Sequence, residues 1–288
     1  MTTQSRLGRW QNYAALTMHI AGKELDLQSR YRNKFLSDVF SHVLGIAPII
    51  LITLALSGSQ AGSGVTELTR SQLAFVVLGY TAFMAFGFGT PIMLYTGMAW
   101  AMTQEVQTGT IERNFLAPVP RTIVTLGHGA YYAALYAFHS LSLLALAVVF
   151  LGGDVSVSAE SLAIAGLTVI GLIALSLGLG LASAGLYLLV RDGSFFLLVV
   201  HRPVMILSGA IFLIDLLPAP LRALALVNPV TYGIDAFRGA IGGRETLLPV
   251  WDEVAIVYVS AVVAFVAGAW LFRRIVARQM RTGELSAY

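Results

Sequence analysis

The sequence predicts an all-α integral membrane protein with six transmembrane helices, and three observations carry that prediction. The first is composition: of 288 residues, 57% are hydrophobic and only 11% are charged, with a mean hydropathy of +0.78. Soluble domains carry about twice that charged share, so lipid has to cover much of the apolar surface. The second is length, because the apolar runs can cross about 30 Å of hydrocarbon as helices. The third is the distribution of cations, which gather on one side of the runs.

Composition also excludes some classes. Net charge is +3 and the pI about 9.3, but no run of Lys or Arg marks a nucleic-acid surface. Cysteine is absent, which removes disulfides and thiolate metal sites. The first residues lack the apolar core and small-residue cleavage site of a secretory signal.

Residues 1–34 read as an amphipathic leader. Arg6, Arg9, Lys23, Arg30, Arg32 and Lys34 accompany Trp10, Tyr13, Ala14, Thr17 and Ala21 at three- and four-residue steps. That spacing describes either a helix lying in the membrane interface or a solvated leader. Span one covers about 35–56 and contains Pro48; a Gly/Ser-rich connection follows at 57–69. Span two, about 73–98, holds Gly79, Gly87, Gly89, Pro91 and Gly97, a density that suggests close helix contacts or a bend near Pro91. Residues 105–120 form a polar island between apolar segments, a place for a soluble protein to dock. Span three covers 123–150 and span four 162–190, where Ser176, Gly180 and Ala184 form a small-residue seam. Span five is about 195–213. Residues 215–250 are too polar for an ordinary span and too apolar for a free loop, which fits short re-entrant or extracellular helices. Span six, 253–272, precedes Arg273, Arg274, Arg278 and Arg281.

Loop charges set the orientation. With both termini inside, the inner segments hold the six leader cations, Arg113, Arg121, Arg191 and the four C-terminal arginines; the outer ones hold Arg70, Arg222, Arg238 and Arg244. Both termini are therefore expected in the cytoplasm, in a multi-pass protein of the cell membrane. Arg202 either snorkels from within span five or marks a helix that begins later.

Enzyme signatures are missing: no zinc-binding His-Glu-x-x-His, no Gly-x-Ser-x-Gly and no paired intramembrane aspartates. The five histidines, His19, His42, His128, His139 and His201, are scattered and read as hydrogen-bonded helix residues. A phosphate loop is also ruled out, because Lys23 and Lys34 are followed by Glu24 and Phe35 rather than Ser or Thr. The chain is expected to have no catalytic site and no cofactor or metal of its own.

Two segments carry a family resemblance. Glu105-x-x-x-Gly109-Thr110-Ile111-Glu112, followed by Pro118, resembles the cytoplasmic loop after the second span of ABC-2-type export permeases. Ser208-Gly209, then Pro218, then the run from Leu226 through Asn228, Pro229, Tyr232 and Asp235 to Arg238 resembles that family's segment from the fifth span outward. The pattern departs at Leu213, where a proline often stands, and at Asn114-Phe115, where leucines are more usual. The resemblance implies a half-transporter that pairs with a second permease copy, more readily as a homodimer, and recruits two ATPase subunits that bind ATP and Mg. It implies that Glu105, Gly109, Thr110, Glu112, Arg113 and Pro118 form an ATPase-coupling helix, with Thr110 as its N-cap, Glu112 in the first turn and Pro118 as its stop. It places Phe83, Phe86, Phe88, Met93, Val200, Met205 and Ser208 along a substrate path, and Asn228, Pro229, Tyr232, Asp235 and Arg238 at an outer gate, where Asp235 and Arg238 could pair. The expected cargo is a hydrophobic or amphipathic drug-like, lipid or lipid-linked molecule, with polysaccharide export as the alternative within the family. An ATP-independent channel or scaffold is the alternative from another class.

Overall fold

The computed structural model describes residues 3–30, 40, 65–86, 94–111, 119–151, 158–190, 202–210 and 213–282. Among these, every regular element is helical: α1 (Thr3–Ser29), α2 (Val65–Ala85), α3 (Leu94–Gln107), α4 (Arg121–Leu151), α5 (Ala159–Val190), α6 (Arg202–Leu207), a 3-10 turn (Ile214–Leu216), α7 (Ala219–Val227), α8 (Pro229–Gly242) and α9 (Val250–Thr282). Among the described residues, three segments are long and apolar enough to cross a bilayer, namely Arg121–Val149, Ala159–Val190 and Val250–Thr282. They coincide with the third, fourth and sixth predicted spans, although α9 runs ten residues past the predicted end. The first predicted span, 35–56, lies outside the described residues except for Phe40.

Two expected spans differ from single helices over their predicted ranges. The second starts earlier, at Val65, and its helix stops at Ala85, with α3 beginning at Leu94. The sequence between them holds Gly87, Gly89 and Pro91, which weaken a helix and remove a backbone donor. The fifth ends in a turn: α6 stops at Leu207, and Gly209 takes a left-handed φ of 68°, a conformation that terminates a helix.

α5 lies at the centre and packs against α9, α3, α8 and α4. Its small residues serve two opposite faces. Ser176 donates to the Phe86 carbonyl (2.8 Å), while Ala184 packs in a cluster with Met98 and Met102 of α3. The expected seam therefore faces α2 and α3. The approach to α9 instead uses Gly171, Gly178 and Gly185, seven residues apart. A Cβ on Gly178 would lie 2.5 Å from the Phe265 backbone nitrogen, and one on Gly268 would strike the Gly178 carbonyl. The backbones of α5 and α9 touch because neither side chain intervenes.

α9 has two distinct faces. Glu253, Val254, Val257, Ala261, Gly268, Phe272, Ile275, Val276 and Gln279 are buried, while Trp251, Val259, Val262, Val263, Val266 and Trp270 are exposed. At 1.5 Å per residue, the two tryptophans stand about 28 Å apart along the axis, close to the hydrocarbon thickness that interfacial tryptophans bracket. Past Trp270 the exposed positions include Arg273, Arg274, Arg278 and Arg281. Gln279 donates to the Leu188 carbonyl (3.3 Å), serving an acceptor in the last turn of α5.

Candidate functional sites

The first site is the end of α3. Thr108 and Gly109 close the helix through backbone bonds to Gln104 (2.9 Å) and Val106 (3.1 Å), and Gly109 adopts a φ of 66°. A Cβ on Gly109 would meet nothing within 4 Å, so its backbone conformation, not space, sets the requirement for glycine. The Thr108 hydroxyl donates to the Gln104 carbonyl (2.7 Å) and the Thr110 hydroxyl to that of Glu105 (3.3 Å). Thr110 is already helical. Its hydroxyl serves a carbonyl left over by α3, and the helix it was expected to cap lies outside the described residues beyond Ile111. Ile111 is buried against α3 and α5 and anchors the turn, while Gln107, Thr108 and Gly109 are exposed. Glu112, Arg113 and Pro118 lie outside the described residues.

Glu105, expected on the docking surface, faces inward. Its Oε1 lies 3.2 Å from His128 Nε2, and His128 Nδ1 lies 3.2 Å from Glu24 Oε1. One histidine of α4 thus meets carboxylates from α1 and α3. α1 rests on α4 with Tyr13, Leu16, Thr17, Ile20, Ala21 and Glu24 half-buried, a face of three- and four-residue steps. A Cβ on Gly127 would lie 2.6 Å from Ile20 Cβ. The expected apolar stripe contained Tyr13, Thr17 and Ala21 but missed Leu16 and Ile20, and its Ala14 is exposed. Sequence reasoning also missed His128 as a meeting point. The available signal was its position between Gly127 and Gly129, which lets other helices approach.

Of the expected substrate path, Phe83 and Phe86 are fully buried in this subunit's own core, with ring centroids 6.3 Å apart. Ser208 is buried beside the turn after α6, where its hydroxyl accepts from the Ala210 amide (3.3 Å). Met205 lies in α6. Phe88, Met93 and Val200 lie outside the described residues.

The residues expected at an outer gate, Asn228, Pro229, Tyr232, Asp235 and Arg238, lie on α8 and its N-cap. Asn228 caps α8, its side chain accepting from the Val230 amide (3.2 Å), and Pro229 occupies the first helical turn. Thr231 donates to the carbonyls of Ala225 (2.9 Å) and Leu207 (3.1 Å), and Tyr232 donates to that of Leu226 (2.7 Å). Arg238 is buried. Its guanidinium donates to the carbonyls of Phe75 (2.9 Å), Gly209 (2.8 Å) and Ala210 (2.5 Å), 3.5 Å from the Phe75 ring centroid. Gly79 makes room for it: a Cβ there would strike the guanidinium and the Ala210 carbonyl. Burial pushes Arg238 down to about 9, against a raising influence from Asp235, so it remains a cation at neutral pH. The expected Asp235–Arg238 pairing is not among the ion pairs of the described residues. Asp235 instead accepts from the Leu247 amide (2.7 Å), and Glu253 accepts from that of Leu248 (3.1 Å). The guanidinium spreads its donors over three backbone carbonyls, as its planar fork allows.

A family model described as ABC-2 type transporter matches residues 24–241. No curated protein matches the chain.

Proposed function

The chain belongs to the ABC-2 type transporter family, as a multi-pass membrane permease, and from that premise we propose that it is the membrane half of an ATP-driven exporter. Residues 1–34 form the leader and 35–288 one membrane domain of six spans, with both termini in the cytoplasm. Two copies pair in the cell membrane with two ATPase subunits, which bind ATP and Mg, while this chain has no catalytic or nucleotide site. The observation that supports the coupling role is the turn after α3. It is exposed at Gln107, Thr108 and Gly109, anchored by buried Ile111, and continuous with a helix braced by α1 and α4. A push delivered there enters a fixed structure. The C-terminal arginines beyond Trp270 support a cytoplasmic end for α9.

The proposed cargo is hydrophobic or amphipathic. Between Ser71 and Phe86, α2 carries no charged residue, which suits an apolar passage rather than an ion path. With Phe83 and Phe86 buried inside the subunit, a passage between two copies would draw on other positions of the second and fifth spans.

The test is purification from the native membrane in mild detergent, followed by mass spectrometry. A stoichiometric soluble subunit with a phosphate-binding loop is expected, and Glu112→Lys is expected to release it. An oligomer without an ATPase, from membranes that preserve other such complexes, would favour a motor-independent channel or scaffold.

A further inference from the structure

We propose that His128 is a positioning residue held as an imidazolium between Glu24 and Glu105, tying the leader helix to the helix that ends in the coupling turn, and that loss of its proton loosens the tie. The inference rests on the coupling role proposed above and adds what joins the turn to the leader and what regulates that join.

The argument is geometric. Both ring nitrogens lie 3.2 Å from a carboxylate oxygen. An ionised carboxylate offers only acceptors, and a neutral imidazole has one donor and one acceptor. A neutral ring would therefore aim a lone pair at one of the two oxygens. The imidazolium donates at both nitrogens, and each bond becomes charge-assisted. The side chains of Glu24, His128 and Glu105 are 23%, 11% and 11% exposed, which leaves little room for water to replace a lost contact.

Among the described residues, three of the helices packed around the ring carry charged groups. α1 supplies Glu24, with Lys23 and Asp26 exposed beside it; α3 supplies Glu105; α4 itself carries Arg121 two turns earlier. α5, which brings Leu177 against Gly129, has no charged residue from 161 to 190. Deprotonation would leave Glu24 and Glu105 facing a neutral ring that can donate to only one of them. α1 and α3 would then be joined mainly through their separate packing on α4.

The absence of cysteine allows direct measurement on the full chain. Met18 of α1 and Gln107 of α3 are exposed, so Met18→Cys with Gln107→Cys carries two spin labels, in lipid nanodiscs. At about pH 6 the label distance is expected to be narrowly distributed. At about pH 10, beyond imidazole titration, the distribution should broaden about twofold as the helices move independently. His128→Gln is expected to give the broad distribution at both pH values. Should that variant fail to fold, Glu24→Gln, which removes one charge and keeps the shape, should be broader than wild type at about pH 6. A wild-type distribution unchanged by pH, or a narrow one in a folded His128→Gln protein, overturns the proposal. No ATPase takes part, so a failed tie leaves the coupling role to the Glu112→Lys test. A tie that holds while that test fails overturns the coupling role alone.

Discussion

A guanidinium presents its N–H donors in a rigid fork, and Arg238 directs three nitrogens at three carbonyls from two separate parts of the chain. Each buried carbonyl left without a donor costs about 1–3 kcal/mol. Arg238→Ala is therefore expected to destabilise the protein by about 3–5 kcal/mol, while Arg238→Lys, whose compact ammonium cannot span all three acceptors, should fall between it and wild type. Thermal unfolding followed by tryptophan fluorescence in detergent checks the order; equal midpoints would mean that the carbonyls find other donors. The motif around Arg238 was legible because residues 226–238 are contiguous. Its partners were not: Phe75 and Gly79 lie far away in sequence, and nothing local marks Gly79 as a recess for a guanidinium. Asp235 satisfied the helical spacing rule for a pair and still lost to acceptors visible only in three dimensions. His128 is the same lesson, because its carboxylates come from other helices.

At the scale of elements, what was legible depended on how far a pattern reaches. α4, α5 and α9 are long uninterrupted apolar runs, and hydropathy alone located them. The composite stretches around Phe86 and Ser208 were harder to bound, because glycine and proline mark where a helix weakens without specifying the turn that follows. The seam on α5 was half legible. Residues four apart, Ser176, Gly180 and Ala184, drew attention, yet contact with α9 follows a period of seven through Gly171, Gly178 and Gly185. Gly178→Val should wedge α5 from α9, since its branched side chain would have to enter the Phe265 backbone. Overpacking of this kind costs about 1–3 kcal/mol or more. A marked loss of monodisperse protein on size exclusion is expected, whereas Gly166→Ala, where a Cβ meets nothing within 4 Å, should behave as wild type.

For the whole molecule, the proposed orientation rests on the charge count and the faces of α9. The exposed side of α9 passes from valine and tryptophan to arginine after Trp270, as a helix leaving hydrocarbon on the cytoplasmic side would. Single cysteines make this measurable in a chain that has none. Arg281→Cys should react with a membrane-impermeant thiol reagent only in opened cells or inverted vesicles, and Glu245→Cys, between α8 and α9, in intact cells. The reverse labelling pattern would invert the topology and remove the turn after α3 from the cytoplasm.

The tryptophans of α9 also make bilayer thickness an input to this protein. A helix anchored at both interfaces about 28 Å apart meets a thinner membrane by tilting and a thicker one by standing upright or drawing lipid inward. α9 cannot tilt alone, because its backbone rests on that of α5 at Gly178 and Gly268. α5 in turn packs against α3 and α8. A membrane of different thickness is therefore expected to move α9 and α5 as a pair rather than α9 alone.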